Sequence, residues 1–403
     1  MMNRVDTRTG VSRGIRRRFV TLFALGLGAG AVSCAVPAPP RAQAADPVPT
    51  ITTVAGDGRG IGCSGDGGPA TDASMNTPQA VAVAPNGNLY IADAGNNVIR
   101  MVPASSGTYF GQQMVAGDIY TVVGRARSSS TTCSAPGYAG DGGSAAEAQL
   151  DEPTGLAIAG DGSLFIADTN NYAIRMVPAE SGTMFGRPMI AGDIYTVAGD
   201  GIRGYTGDGG PATAAQLGLS ETIAIDADDS LYIADFTCNC IRKVTPDGTI
   251  STFASGLDAP LGVGFDAAGT LYVCAFGGNQ ILRIAPDGSI TAYAGSGAAG
   301  YAGDGGAATA AELDRPHGLA VGTDGSVYLS DRGNSRIRVI SPQGIISTYA
   351  GNGTAGFSGD GGPALDAEIN YAEAVAISPH GDLYIADALN DRVREISAPA
   401  PGG

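Results

Sequence analysis

Basic residues are scarce in this chain, and the scarcity narrows its partners. Lys and Arg together number 23 against 39 Asp and Glu, a net charge of −16. Seven of the basic residues fall within positions 1–44 beside a single acid, Asp6, so from residue 45 onward 16 basic residues face 38 acidic ones. A surface that acidic repels phosphate backbones, which argues against nucleic acid and favours metal ions or cationic groups. Charged residues are few overall, at 15%, and hydrophobic ones reach 43%, a balance too apolar for disorder. No run approaches the ~20 apolar residues that a membrane-spanning helix needs, so no transmembrane span is expected. Histidine is limited to His317 and His380. No Ser-His-Asp arrangement, phosphate loop or redox motif stands out. What abounds is glycine, with 63 residues, more than a helical bundle tolerates.

Residues 1–44 read as an export signal. Arg16-Arg17-Arg18 leads into the apolar run from Phe19 to Ser33, followed by Pro- and Ala-rich sequence. Arg16-Arg17-Arg18-Phe19-Val20 resembles a twin-arginine signal, and a plain basic n-region of the general secretion route explains the arginines equally well. Two processing points compete. Ala42-Gln43-Ala44 looks like a signal-peptidase site and yields a secreted domain, while Ala31-Val32-Ser33-Cys34 resembles a lipobox and yields a lipid anchor at Cys34. Residues 45–49 then form a short linker, and 398–403 a Pro/Gly tail. In an exported protein the cysteines beyond Cys34 are expected in disulfides. Cys63 with Cys133, and Cys274 with Cys238 or Cys240, are the expected pairs, and a soft-metal site at Cys238-Asn239-Cys240 is the lesser reading because a fourth ligand is missing.

The decisive feature is internal repetition. Leu89-Tyr-Ile-Ala-Asp93 returns as Leu164-Phe-Ile-Ala-Asp168, Leu231-Tyr-Ile-Ala-Asp235, Leu271-Tyr-Val-Cys-Ala275, Val327-Tyr-Leu-Ser-Asp331 and Leu383-Tyr-Ile-Ala-Asp387. Each copy follows a short apolar strand and a tight turn, and precedes a third strand such as Val98 to Val102. A fourth strand follows in every copy but the last. Its counterpart stands at the other end of the repeats, as Thr50-Ile-Thr-Thr-Val-Ala-Gly56, matching Ile345-Ile-Ser-Thr-Tyr-Ala-Gly351. The predicted fold is therefore all-β: a six-bladed β-propeller over residues 50–397, closed by an N-terminal strand that completes the C-terminal blade and removes a free sheet edge.

The repeat unit, with Pro-x-Gly-Leu-Ala, Gly-x-Leu-Tyr-Ile-Ala-Asp-x-x-Asn and Ile-Arg segments, resembles the NHL repeat of bacterial secreted proteins and of the teneurin propeller. The resemblance implies the fold and leaves the function open. Such propellers serve as interaction platforms, sensor domains, RNA binders, lyases or lactonases. The expected role is an exported binding or protein-interaction scaffold, with an unidentified protein, a cell-wall glycan or a small molecule as partner. A metal-assisted, lactonase-like hydrolase or lyase using a divalent ion, Ca or Zn, is the alternative.

Departures among the repeats locate candidate residues. Seven residues after each Asp of the column Asp93, Asp168, Asp235, Asp331 and Asp387 stands an Arg: Arg100, Arg175, Arg242, Arg338 and Arg394. The fourth copy has Ala275 and Leu282 in their place, and this joint loss predicts a structural Asp–Arg pair across the hairpin, with a metal-binding ring of aspartates as the lesser reading. Five inter-blade loops carry Gly-Asp-Gly-Gly, with Asp66, Asp141, Asp208, Asp304 and Asp360, expected to bind backbone N–H groups or, less readily, calcium. Propeller topology puts these loops, the Asp column and the starts of the inner strands on one face, the top. The residues entering the inner strands form a ring of Gln79, Thr154, Glu221, Leu261, His317 and Glu373. Glu221, His317 and Glu373 are the candidates for chemistry, with Glu221 and Glu373 as weak metal ligands. Gln79, Phe236, Leu261, Phe276 and Arg332 are candidates for ligand binding around a notch left by the plain fourth blade. His380 falls on the opposite face, so the two histidines cannot share a zinc site. On that bottom face, long insertions from Pro103 and from Pro178 carry aromatic tips at Tyr109-Phe110 and Phe185, expected either to pack on each other or to form an exposed patch.

Overall fold

The computed structural model describes residues 48–60, 62–125 and 134–397. The export signal, Cys34, the cleavage site, Cys133 and the C-terminal tail all lie outside these residues. Six antiparallel four-stranded units follow the order read from the repeats. Blade 1 is built from Pro78–Val83, Leu89–Asp93, Val98–Val102 and Asp118–Val123. Blade 4, the plain one, comprises Pro260–Phe265, Leu271–Ala275, Gln280–Ile284 and Ile290–Ala294. Blade 6 takes Ala372–Ile377, Leu383–Asp387 and Arg392–Ile396 from the end of the repeats and Thr50–Ala55 from their beginning, in the register Ile51↔Ile396 and Thr53↔Arg394. Ile51 is fully buried there. Inner strands pack on their neighbours all the way round, including blade 6 on blade 1, so the ring is closed. Among the described residues, no helix is long and apolar enough to cross a membrane.

In blades 1 to 4 the second strand is buried along its length because both sheet faces meet another blade, and in blades 5 and 6 only Tyr328 and Tyr384 are partly exposed. Core clusters accordingly run between blades, as where Ala92 and Ile99 of blade 1 meet Leu164 and Ile166 of blade 2. The inner strands begin earlier than their apolar segments suggest. Pro78 pairs with Asp93 and Pro316 with Asp331, which draws the ring residues into the sheet at its top end.

Three expectations need correction. The Gly-Asp-Gly-Gly loops are not confined to the top face: Gly68 and Pro69 pair with Ile119 and Asp118, so the loop runs down the outer edge of its blade, as it does in blades 2 and 6. What blade 4 lacks is therefore an edge cover, and its outer strand Ile290–Ala294 is largely exposed. The hairpins of blades 1 and 2 do not pack on each other. Each folds under the ring, Phe110 edge-on to Tyr90 at 6.3 Å and Phe185 edge-on to Phe165 at 5.9 Å, with Met114 and Met189 buried at their bases. Cys274 pairs with neither expected partner. It is a free, buried thiol, and Cys238 is joined to Cys240. Cys63 is in a disulfide, while its expected partner Cys133 lies outside the described residues.

Candidate functional site

The Asp column supplies the frame on which the mouth is built. In blade 2, Asp168 stands opposite Ala173 and Arg175 opposite Ile166, so the two charged side chains are diagonal neighbours on one sheet face. Both are fully buried, and the guanidinium lies 3.3 Å from the carboxylate. The same contact closes at 3.5 Å for Arg100–Asp93, 3.1 Å for Arg338–Asp331 and 3.3 Å for Arg394–Asp387. Blade 3 differs: Asp235 takes backbone N–H groups of Gly218, Thr237 and Cys238. Each arginine has a second partner that sequence reasoning missed, the aspartate of the Gly-Asp-Gly-Gly loop. Asp66, Asp208, Asp304 and Asp360 lie 2.6–2.7 Å from Arg100, Arg242, Arg338 and Arg394, and Asp141 lies 3.5 Å from Arg175. These carboxylates face fixed guanidinium charge, an environment unsuited to calcium.

The column also fixes the mouth. Asp93, Asp168, Asp331 and Asp387 each accept a backbone N–H from the segment leading into the inner strand, at Asn76, Asp151, Asp314 and Asn370, all at 2.8 Å. Each also accepts the amide of the asparagine three residues on: Asn96, Asn171, Asn334 and Asn390. Burial pushes Asp93 and Asp168 up to about 6, against the hydrogen bonds and arginine charge that favour ionisation. Adjacent blades are tied by a second device. Asn97, Asn239 and Asn279, at left-handed turn positions, accept the N–H of Glu152, Ala259 and Arg315 in the next blade.

On this frame the ring residues approach one another. Gly318 follows His317 because a Cβ there would lie 2.5 Å from the Glu373 carbonyl, and Gly262 stands in the same relation to the His317 carbonyl at 2.3 Å. The result is a cluster drawn from blades 3, 5 and 6. The Nδ1 of His317 lies 2.8 Å from the backbone carbonyl of Glu373. A carbonyl only accepts, so Nδ1 carries a proton and Nε2 is the nitrogen free to gain or lose one. Nε2 lies 3.1 Å from Glu373 Oε2 and 3.5 Å from Glu221 Oε2. The other oxygen of Glu373 meets Arg332 at 3.1 Å, and the Arg332 guanidinium lies 4.3 Å above the ring of Tyr371. Phe276 stands edge-on to the imidazole at 6.3 Å.

Burial disfavours the imidazolium, but the Glu373 charge and the Glu221 hydrogen bond and charge outweigh it, Arg332 opposing them, so the His317 pKa is raised. His317 and Glu373 are nearly closed off, whereas the Glu221 side chain keeps 27% of its exposure and forms the solvent side of the cluster. Glu373 Oε2 is buried without a hydrogen bond, although Nε2 is near.

The structure thus brings Glu221, His317, Glu373, Arg332 and Phe276 together. Leu261 is buried on the ring between blades 3 and 5, a gap that Glu221 spans to reach His317. Gln79 and Phe236 are half-buried, on blades 1 and 3, outside the cluster's contacts. His380 is exposed in the turn between the first two strands of blade 6, on the bottom. Tyr371 was missed; it stands two residues before Glu373 with φ of 58°.

A family model described as the teneurin NHL domain matches residues 296–355. Teneurin-m of Drosophila melanogaster is 28% identical over 403 residues, an alignment covering 87% of this chain and 13% of that protein. Teneurin-3 of Danio rerio is 30% identical over 300 residues, covering 71% of this chain and 9% of that protein. The chain thus spans a small fraction of the curated relatives it matches. Among solved structures, an auxiliary nutrient binding protein from Bacteroides ovatus superposes with a TM-score of 0.60 at 16% identity, covering 87% of this chain and 76% of that one.

Proposed function

From the premise that this chain belongs to the NHL-repeat β-propellers, we propose that it is an exported binding scaffold that seats a small polar ligand at the mouth, over Glu221 and between Phe276 and Tyr371. One observation carries the reading: four ionisable side chains from three blades converge in a nearly closed network whose open member is Glu221. A partly exposed carboxylate beside a raised-pKa imidazole offers an acceptor and a proton donor at fixed positions, and the aromatic walls supply apolar contact. The nutrient-binding neighbour supports a binding role at this coarse level.

The convergence of Nε2, Glu221 and Glu373 also favours a second reading, the metal-assisted hydrolase or lyase. The donor types suit zinc, and the orphaned Glu373 Oε2 is a candidate ligand. Their arrangement suits it less. The three groups are spaced to pair with one another, Arg332 brings positive charge against Glu373, and among the described residues no group of three His, Cys, Asp or Glu is set to hold an ion. Elemental analysis of the gel-filtered domain from Ala45 onward separates the readings. A metal-free domain that binds small polar compounds in a thermal-shift screen, and loses that binding on Glu221→Gln, supports the scaffold. One tightly held divalent ion per chain, lost on Glu221→Ala or Glu373→Ala, overturns it in favour of the enzyme.

A further inference from the structure

Blade 4 differs from the other five at its outer edge. In those five the Gly-Asp-Gly-Gly loop lays a short segment along the outer strand, and an isoleucine near the start of that strand turns its backbone outward to receive it. The carbonyls of Ile119, Ile194, Ile250, Ile346 and Ile51 accept the N–H groups of Gly67, Gly142, Gly209, Gly305 and Gly361 at 2.7–2.8 Å. In blades 3 and 5 the N–H groups of Ile250 and Ile346 are in turn donated to the Gly210 and Gly306 carbonyls, at 3.0 and 3.1 Å. All five isoleucines are fully buried. Ile290 holds the same place in blade 4, opposite Ile284 as Ile250 stands opposite Val244 and Ile346 opposite Ile340. Only residues 256–259 join blade 3 to blade 4, too few to descend the edge. Ile290 is accordingly 39% exposed, and among the described residues no loop bonds its outward N–H or C=O.

The two faces of this bare edge differ in character. Ile284 pairs with Ile290 and Leu282 with Ala292, so one face is apolar, and Leu282 is only partly buried. Leu282 stands where Arg242 and Arg338 receive the loop aspartates Asp208 and Asp304, so a copy of those loops would bring a carboxylate with no cation to meet. On the other face Arg283 stands opposite Thr291 and donates from Nε to its Oγ1 at 2.9 Å. Arg283 is exposed, and among the described residues no carboxylate pairs with it. A third outward group is the Ala292 N–H, since Thr252 in that place of blade 3 donates its N–H to Asp208 at 3.0 Å.

We propose that blade 4 takes an extended segment of a partner protein as its fifth strand, antiparallel to Ile290–Ala294, with β-branched residues opposite Ile290 and Ala292 and an acidic residue opposite Thr291. The outward backbone groups of Ile290 and Ala292 supply the ladder, as at other sheet edges that recruit a strand. Period-2 alternation sets the sequence: the flanking side chains continue the apolar face of Leu282 and Ile284, and the one between them faces Arg283. Charge selects a partner segment over a second copy. Two copies of this edge would set Thr291 against its own image and bring both Arg283 side chains to one face without a carboxylate between them.

Backbone amide hydrogen exchange of the full chain, read by NMR, tests this with end-capped pentapeptides Thr-Val-X-Val-Thr at roughly millimolar concentration, X being aspartate, glutamate or lysine. The acidic peptides are expected to slow exchange at Ile290 and Ala292 and to bind about fivefold more tightly than the lysine peptide. N-methylation of both valines, which removes the donors that face the edge, is expected to abolish the effect. Arg283→Glu, at an exposed site, is expected to reverse the order of preference while the melting temperature holds. Unchanged exchange at Ile290 and Ala292 with both acidic peptides overturns the proposal. So does equal binding of the lysine or N-methylated peptide, or a dimer of the free chain on gel filtration in which these two amides are already protected, which assigns the edge to a second copy.

Discussion

Replacing Arg338 with leucine is expected to destabilise the propeller severely, and removing its partner as well is expected to restore part of the loss. Arg338 is fully buried, 3.1 Å from Asp331 and 2.7 Å from Asp304. Asp331 is equally buried and its pKa is already raised by that burial. Taking the guanidinium away leaves a buried carboxylate whose remaining donors are the Asp314 N–H and the Asn334 amide, at a cost of about 3–5 kcal/mol. Blade 4 shows the apolar alternative at the same positions, Ala275 and Leu282, both in regular strands. Adding Asp331→Ala to Arg338→Leu therefore removes the stranded charge, and about 1–3 kcal/mol should return. Without tryptophan in the chain, urea unfolding is best followed by far-UV circular dichroism and tyrosine fluorescence, whose transitions must coincide for a free energy to be drawn. If the double variant is less stable than Arg338→Leu alone, the pair is not what the joint loss in blade 4 implies.

Further expectations concern the cluster, the closure and the cysteines. The folded pKa of His317 is raised, so its stabilising contribution is full below the unfolded value of about 6.5 and is lost as pH rises through the folded value; the urea midpoint should fall over that window in the wild type and not in His317→Gln. Arg332 opposes the imidazolium, so Arg332→Leu should raise the His317 pKa further in an NMR titration, and a downward move would contradict the geometry. Ile51→Asp buries a charge in the strand that closes blade 6 and should cost more than about 3 kcal/mol, with oligomers on gel filtration from the bared edge of Arg392–Ile396. Iodoacetamide applied to the native, unreduced protein should spare Cys274, whose thiol is buried and held protonated by that burial; reduction should open the partly exposed Cys238 to labelling before it.

The ring was legible because repetition aligns the chain with itself. Ile51 and Ile346 occupy the same place in their strands, and that match alone predicts the closure between Thr50–Ala55 and Arg392–Ile396. The Asp–Arg pairs were legible from the blade that lost both. The third partner was hidden by distance, since Asp304 and Arg338 stand 34 residues apart. A signal existed: blade 4 lacks the Gly-Asp-Gly-Gly loop along with Asp and Arg, and three losses in one repeat mark three parts of one contact. Cys274 carried a signal too. It occupies the place of Ala92, Ala167, Ala234 and Ala386, each fully buried, so a disulfide to the top turn was never within its reach. The hairpin tips were not legible, because Tyr109-Phe110 in a turn reads the same whether it folds under the ring or stands in solvent.

The mouth shows why symmetry must fail locally for a site to form. Six similar strands entering a ring bring six second residues toward one axis, and identical charged residues there would repel. This chain places acids in blades 3 and 6, histidine in blade 5 and leucine in blade 4, so the polar groups fall on one side of the ring. Arg332 comes from the turn above blade 5 and reaches Glu373 of blade 6, while Tyr371, before that inner strand, takes the guanidinium on its face. The turn position that in blades 1, 3 and 4 is an asparagine tying the next blade is Ser335 in blade 5, where the Arg332–Glu373 salt bridge and the His317–Glu373 carbonyl bond join blade 6 to blade 5 at the mouth. Arg332 therefore acts as an inter-blade link, beside the hydrogen bond from His317 to the Glu373 carbonyl, and as a wall of the proposed site. A ligand that competes for Glu373 must displace this salt bridge, and one that engages only Glu221 leaves it intact. The partly exposed carboxylate of Glu221 is for that reason the group expected to make first contact.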